Sequence, residues 1–560
     1  MQGVSDEINT RKRGEYDRIN KTTNAQEKRG RGGLFKNKKR EKTNAPFLLK
    51  NGGRRGEGMK QCVIGIDVGT SGTKTIAVDQ EGKILASALA SYPLYTPQAG
   101  WNEQAPEDWW QAAAETLKKV TGQLEDTEII GIGLSGQMHG MVALDRDGRV
   151  VRRALLWNDQ RTGAQCDEIT QTAGGLNGLL SMTNNRMLTG FTGGKILWMR
   201  ENEPENFAKT VKILNPKDYI GYQLTGEQVT EVSDASGTGL FDVKNRKFHE
   251  GLLAKLGLSA DLFGRCIEST EIRGYVTKQA AEQTGLPEGV PVTGGGGDAV
   301  ISTTAMGLTE PGRLGLVLGT SGVVATGLPA FMENPEGKLQ VFCNTAPGMW
   351  HAAGITLSAA GSLAWFQNTF GQDKQRQAQC RGTTPFALWD QAAEVAGPGA
   401  HGLLFLPYLS GERCPVNDPD ARGAFVGITA LHTDGDFARA VLEGVAFSLK
   451  QVAELMEQMP GFKPQSEIVV SGGGSKSRLW RQIIADVFGL PVLQTYGAAE
   501  GGAFGAALVA GAGCGLWENL TSAMELLHVQ DVTKPSKDAE KYQAPYQRYC
   551  KLYQALQALE

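Results

Sequence analysis

Nowhere among the 560 residues is there an apolar run of the roughly 18–20 residues that a bilayer-spanning helix requires, and the N-terminus lacks the apolar core of a secretory signal. Both absences point to a cytoplasmic protein without a membrane partner. The eight cysteines are scattered at 62, 166, 266, 343, 380, 414, 514 and 550, with no CxxC pair and no companion histidine spacing. Neither a zinc site nor a disulfide framework is expected, and a reducing compartment fits best. No GxxxxGKS/T occurs, which argues against a P-loop fold. Disorder of the bulk is excluded as well, because 41 % hydrophobic and 21 % charged residues leave ample apolar surface to bury.

Glycine, by contrast, is abundant at 73 residues, much of it in clusters such as Gly294–Gly297 and Gly472–Gly474. Such clusters suggest backbone brought close to a ligand. Charge is unevenly placed. Residues 1–58 hold 16 Lys/Arg against 7 Asp/Glu, a net +9, which leaves −12 for the remainder. The run Lys36–Lys42 could touch nucleic acid or an acidic surface, but a solvated, disordered tail is the plainer reading, and no nucleic acid is expected for the rest of the chain. Met59 directly precedes the first convincing strand, so the extension is set aside from the fold.

The remaining length exceeds one ordinary core and calls for two domains with a cleft between them. The short β-branched run Cys62–Asp67 turns through Gly69–Gly72, returns as Thr75–Asp79 and turns again before Ile84, the pattern of an antiparallel meander. Pro106, Glu107 and Asp108 open a helix expected to reach Leu124, followed by strand Ile129–Leu134. A mixed sheet flanked by helices, an α/β domain, accounts for this order. A second passage of the same type begins with strand Arg313–Leu318 and the turn Gly319-Thr320-Ser321-Gly322, which repeats Gly69-Thr70-Ser71-Gly72. Strand Glu467–Ser471, loop Gly472–Lys476 and helix Ser477–Val487 come later. The repeat suggests an internally duplicated protein whose halves, 59–308 and 309–560, each offer one turn to a shared ligand.

Several motifs carry chemistry. In Asp67-x-Gly69-Thr70-Ser71-Gly72-Thr73-Lys74, glycines let backbone amides and hydroxyls approach phosphate oxygens, while a carboxylate at the strand end can hold hydrated Mg²⁺. The bland alternative is a tight hairpin turn. Gly131-Ile132-Gly133-Leu134-Ser135-Gly136 formally matches GxGxxG, but its glycines begin inside a strand and no long helix opens at Gly136, so a dinucleotide site is rejected. Gln137-Met138-His139-Gly140 and Trp157-Asn158-Asp159-Gln160-Arg161 combine polar groups with an aromatic face and suit a polyol; a satisfied core histidine and a helix-start Asp fit them equally. Asp298 ends the loop Val292–Gly297, where it could accept a hydroxyl proton during phosphoryl transfer or merely cap a helix.

The hairpin Gly65–Lys74, the segment Gly190-Phe191-Thr192-Gly193-Gly194-Lys195-Ile196-Leu197-Trp198, and the stretch Gly423–Gly427 leading to Glu443 resemble, in order, the signatures of the FGGY carbohydrate kinases. Pro216-Lys217-Asp218-Tyr219, Phe405–Arg413 and Gly472–Asp486 extend the likeness over nearly the whole chain from residue 62. The resemblance implies the two-domain, actin-like (ribonuclease H-like) ATPase fold, with ATP and Mg²⁺ bound in the interdomain cleft. Gln137–Gly140 and Trp157–Asp159 resemble the branch that phosphorylates D-xylulose at its terminal hydroxyl, rather than the glycerol or gluconate branches. By the same likeness Asp298 is the base, and Gln137, Met138, His139, Trp157, Asn158 and Asp159 line the sugar. Asp67 sits by the metal and phosphates. Gly69, Thr70, Ser71, Gly72, Thr73, Lys74, Gly319, Thr320, Ser321, Gly322, Gly472, Gly473, Gly474 and Ser475 line the nucleotide. A homodimer is expected on the same ground. One position departs: Ala299 follows Asp298, where members of that branch carry Asn. Another polyol, or a non-sugar actin-like ATPase, is the alternative.

Overall fold

The computed structural model describes residues 60–558 apart from 499; the basic extension 1–58 lies outside the described residues. Strands β1 (Lys60–Val68), β2 (Gly72–Asp79) and β3 (Ile84–Ser91) form the expected meander. Helix α1 (Pro106–Thr121) follows, with Pro106 in its first turn, acids Glu107 and Asp108 at its N-terminus and Lys118 and Lys119 in its last turn, each placed to complement the helix dipole. It buries Trp109, Ala112, Ala113, Thr116, Leu117 and Val120 on one face. The helix ends three residues before the expected Leu124, because Gly122, Gln123 and Leu124 make turn hydrogen bonds back to Lys118, Val120 and Thr121.

Strand β4 (Thr127–Gly136) pairs parallel with β1. Beyond it come α2 (Thr192–Asn202), α3 (Pro216–Thr225), the short α4 (Val232–Ser236), β5 (Ile272–Tyr275), β6 (Pro291–Thr293) and α5 (Asp298–Thr304). The first sheet runs β5-β6-β4-β1-β2-β3, with Gly296–Gly297 also paired to β4. All of Gly131–Gly136 lies within β4.

The second sheet repeats this plan. Its meander is β7 (Arg313–Leu318), β8 (Gly322–Leu328) and, past the edge strand β9 (Gln340–Cys343), β10 (Trp350–Thr356). Helices α6 (Ala360–Phe370) and α7 (Asp434–Glu457) cover it. Then β11 (Glu467–Ser471) pairs parallel with β7, α8 (Arg478–Phe488) follows, and β12 (Val492–Thr495) pairs parallel with β11. Helix α9 (Gly501–Cys514) and the antiparallel edge strand β13 (Val529–Thr533) complete the order β9-β10-β8-β7-β11-β12-β13. Both sheets are therefore meanders extended by two parallel strands and closed by an antiparallel one.

Helix α9 belongs to the second half of the chain yet packs on the first sheet, where Ala503, Phe504, Ala506, Ala507 and Ala510 share a core with Val63, Ile76 and Val78. The approach is at backbone distance. A Cβ on Gly65 would stand 1.9 Å from the Ala503 carbonyl oxygen, and one on Gly133 would stand 1.9 Å from that of Ala506. The glycines of β1 and β4 thus admit a helix. No helix among the described residues is long and apolar enough to cross a membrane.

Candidate active site

Asp67, the last residue but one of β1, lies opposite Lys74 on β2, and Val68 stands opposite the buried Thr73. The turn between them, Gly69-Thr70-Ser71-Gly72, is closed by a 3.1 Å bond from the Gly69 amide to the Gly72 carbonyl. Ser71 at its tip is exposed. From beneath, Gln104 Nε2 donates to the Thr70 carbonyl at 2.7 Å and Gln137 Nε2 donates to Gln104 Oε1 at 2.9 Å. Gln137 is completely buried, and its amide braces the Gly69–Gly72 turn through Gln104. The Asp67 carboxyl accepts from Ser135 Oγ at 2.6 Å. Burial pushes its pKa up, against the pull of that hydrogen bond and of Lys74. The first turn of α9 abuts it, since a Cβ on Gly502 would lie 2.7 Å from Asp67 Oδ1. Lys74 pairs with Glu500, just ahead of the same helix.

The second glycine turn, Gly319–Gly322, joins β7 to β8. Its Gly319 and Thr320 carbonyls accept from the amides of Ala360, Ala359 and Gly361 at the start of α6, at 2.8–3.1 Å. Gly472 has φ +85° and leaves no room for a side chain, because its Cβ would meet the Leu318 carbonyl oxygen at 2.7 Å. Loop Gly472–Ser475 and turn Gly319–Gly322 are therefore neighbours, with Gly473 and Gly474 in a short 3₁₀ turn and Ser475 Oγ bonded to the Gly472 carbonyl at 2.7 Å. Ser471 Oγ donates to the Ala498 carbonyl at 2.8 Å. The segment leading into α9 thus touches the second-sheet loops on one side and Lys74 and Asp67 on the other.

Asp298 is the first residue of α5, with the glycine loop behind it. It is half-buried, and its carboxyl accepts from the Ala299 amide at 2.7 Å. Its pKa is pushed up to about 7, chiefly by burial and then by the negative charge of Asp67, while backbone hydrogen bonds from Ala299 and Met138 pull it down. Met138 also packs on the preceding residue, where a Cβ on Gly297 would lie 2.5 Å from its Cγ. Asp298, Asp67 and the Met138–His139 segment are consequently drawn together from strands β1, β4 and helix α5.

His139 has φ +67°, the left-handed region that ordinary residues avoid. Lys195 of α2 holds that conformation, its buried Nζ donating to the His139 carbonyl at 2.7 Å and to the Gly190 carbonyl at 2.5 Å, and Thr192 Oγ1 adds a bond to the His139 carbonyl at 3.1 Å. Burial lowers the Lys195 pKa to about 7. His139 Nδ1 lies 2.6 Å from the Gly237 carbonyl and the ring stacks on Phe191 with centroids 4.5 Å apart. Burial brings its pKa down to about 3, and the charges of Lys195 and Arg413 act in the same direction against the Gly237 bond. The imidazole is therefore neutral, donating through Nδ1 and leaving Nε2 as an acceptor for a hydroxyl.

Trp157, 41 % exposed, donates from Nε1 to Thr70 Oγ1 at 2.9 Å and so ties the segment Trp157–Arg161 to the first turn. Asn158 lies alongside, its carbonyl accepting from Asn102 Nδ2 at 3.0 Å. Asp159 is different. It is fully buried, with its carboxylate saturated by the Asn102 amide at 2.7 Å and by a forked pairing with Arg161, whose guanidinium stacks over Trp101. Its oxygens serve the fold. Lys195 was legible only as part of a family segment; a lysine set among apolar helix residues was the local sign that it is buried with partners.

Among the described residues no group of three or more His, Cys, Asp or Glu side chains could hold a metal ion. The acids present in the site are Asp67 and Asp298, close enough for the charge of one to raise the other. One or two carboxylates beside phosphate oxygens is the donor set of Mg²⁺ carried in by a nucleotide, so these residues fit such an ion.

The models of the FGGY family of carbohydrate kinases match residues 62–306 for the N-terminal domain and 314–514 for the C-terminal domain. The xylulose kinase of Bacillus subtilis is 37 % identical over 495 residues, covering 88 % of this chain and 96 % of that protein. The xylulose kinase of Escherichia coli is 36 % identical, over 88 % of this chain and 99 % of its own length. Among solved structures, a xyloylose kinase from Brucella ovis superposes with a TM-score of 0.81 at 33 % identity, over 89 % of this chain and 100 % of that one. With both domain models matched over the duplicated meander sheets, the chain belongs to the FGGY family of carbohydrate kinases.

Proposed function

We propose that the protein transfers the γ-phosphoryl group of ATP to the terminal hydroxyl of D-xylulose, giving D-xylulose 5-phosphate and ADP. The observation that carries this reading is Asp298, a half-buried acid with a pKa near 7 beside Met138, His139 and Asp67. The likeness to xylulose kinases over most of their length supports the choice of sugar. The sugar lies in the lobe 59–308, with His139 Nε2 and the Trp157 face against it. ATP lies against the lobe 309–560, its phosphates at the turns Gly69–Gly72 and Gly319–Gly322 and the loop Gly472–Ser475. Closure of the lobes excludes water and so protects ATP from hydrolysis. Asp298 orients the attacking hydroxyl and accepts its proton late in the transfer, when the bond from the γ-phosphorus to the departing ADP is largely broken. Asp67 would hold the Mg²⁺ that accompanies the nucleotide, and that ion would supply positive charge against the phosphates. Such a protein works in the cytoplasm.

A pH dependence follows. Asp298 acts in its ionised form, so kcat/KM is expected to fall about tenfold per pH unit below pH ~7. His139, already neutral, adds no second limb above pH 5. Removing the imidazole with His139→Ala should raise KM for the sugar about tenfold while leaving KM for ATP unchanged, as steady-state titration of each substrate will report.

Ala299 favours a second reading, a kinase of another polyol within the family, because the side chain after the base offers no amide to a hydroxyl. A panel of pentuloses, glycerol and gluconate in a coupled ADP assay, with and without Mg²⁺, separates the two. Fastest turnover of D-xylulose, lost without Mg²⁺, is the expected result; a higher kcat/KM for any other member of the panel would reassign the substrate.

A further inference from the structure

Behind Asp298 lies a group of ionisable side chains that the reaction as described leaves out. Lys217, Asp218, Glu231 and Asp234 are completely buried and Arg273 almost so. Lys217 Nζ stands 2.7 Å from Asp218 Oδ1, 3.4 Å from Asp234 Oδ2 and 3.7 Å from Glu231 Oε2, while Arg273 Nη1 is 3.1 Å from Asp218 Oδ1. Two cations face three acids. Neither Asp234 oxygen accepts a hydrogen bond, and burial pushes its pKa well up. The group reaches Asp298 through hydrogen bonds and packing.

The contacts show how. Glu231, at the N-cap of α4, accepts from the amides of Ser233 at 2.7 Å and Asp234 at 3.2 Å and from the hydroxyl of Ser269 at 2.6 Å. It also accepts the hydroxyl proton of Ser233 at 2.8 Å. That direction of donation leaves the lone pairs of Ser233 Oγ free, and one of them accepts the Gly297 amide at 3.0 Å. Gly297 is the residue before Asp298. The glycine loop is pressed against this structure along its length: a Cβ on Gly294 would lie 3.2 Å from Glu231 Cγ, and one on Gly296 3.3 Å from Ser233 Oγ.

We infer that Ser233, oriented by the buried Glu231, is a positioning residue for Asp298: its hydroxyl fixes the Gly297 amide and thereby the direction in which the Asp298 carboxyl meets the sugar hydroxyl. The inference rests on the reading of Asp298 as proton acceptor. Ser269 is the natural comparison, since its hydroxyl serves the same carboxylate without touching the Gly297 amide.

The test compares purified Ser233→Ala and Ser269→Ala by melting temperature and by kcat and KM for each substrate. Both are expected to lose similar thermal stability. Ser233→Ala should lower kcat by about 10- to 100-fold with KM for ATP unchanged, and Ser269→Ala should stay within about twofold of wild type, because misplacement of a reacting group is felt in turnover. Equal kcat in the two variants overturns the inference. If Ser233→Ala does not fold, Ser233→Cys, similar in volume but a weak acceptor, is read on the same scale. In an Asp298→Asn background, adding Ser233→Ala should change the residual rate by less than about twofold, as expected of residues acting as one unit. A wild-type rate in Asp298→Asn alone would remove the proton-acceptor reading itself, whereas a slow Asp298→Asn with an undiminished Ser233→Ala removes only the positioning role.

Discussion

Asp298→Asn is expected to lower kcat about 10³-fold, within the range that a positioned acid or base contributes, while leaving the fold intact. The expectation of an intact fold comes from the sign of the linkage. The folded-state pKa of about 7 lies above the ordinary value of 3.8, so the folded protein holds this proton more tightly than the unfolded chain. The stabilising contribution is complete below pH ~4 and is lost as pH rises through ~7. Above that pH the wild type carries a desolvated charge beside Asp67 that the amide variant lacks. Asp298→Asn should therefore melt at or above the wild-type temperature at pH 8. Slow turnover accompanied by a large drop in melting temperature would mean that the residue serves the fold first.

The second large effect concerns stability alone. Gly133→Ala places a methyl 1.9 Å from the Ala506 carbonyl oxygen, a distance that only displacement of α9 can relieve. The cost is expected to be about 3 kcal/mol, the upper end of ordinary overpacking, because the obstacle is backbone and not a side chain that can rotate. Because α9 also abuts Asp67, activity should fall with it. Gly163→Ala is the control. Nothing lies within 4 Å of its Cβ and it opens a helix, so it should be neutral or slightly stabilising. Thermal or urea melts of the two proteins side by side give the comparison.

How much of this was legible in the sequence depends on how local the cause is. Strands Arg313–Leu318 and Glu467–Ser471 have the expected bounds to the residue, because each is a short apolar run cut off by glycine. The helix at Pro106 was read correctly at its start, where proline and acids mark it, and overrun at its end, where Gly122 gives a weaker signal than a positive-φ cap. The rejection of a dinucleotide motif at Gly131–Gly136 rested on context, but the reason for the glycines was out of reach: their partner, α9, is some 370 residues away in sequence. The same holds within the site. Asp67, Met138, His139 and Asp298 sit in motifs that suggested a phosphate and polyol site but read equally as a turn, a core histidine and a helix cap; the structure brings them together. Gln137 and Asp159 look equally polar in the sequence, yet their polar atoms are bound to Gln104 and Arg161. Whether a polar side chain faces a cleft or its own fold is decided by long-range pairing, and no spacing rule records that. The network of Lys217, Glu231 and Asp234 was hidden for the same reason.

The central claim is that Asp298 directs a sugar hydroxyl at the γ-phosphate of ATP, and product analysis as a function of pH tests it most directly. With D-xylulose, ATP and Mg²⁺, wild-type protein should form one sugar phosphate for each ADP released, with an acid limb near pH 7 that disappears in Asp298→Asn. ADP released without sugar phosphate, or the same limb persisting in the variant, would contradict it.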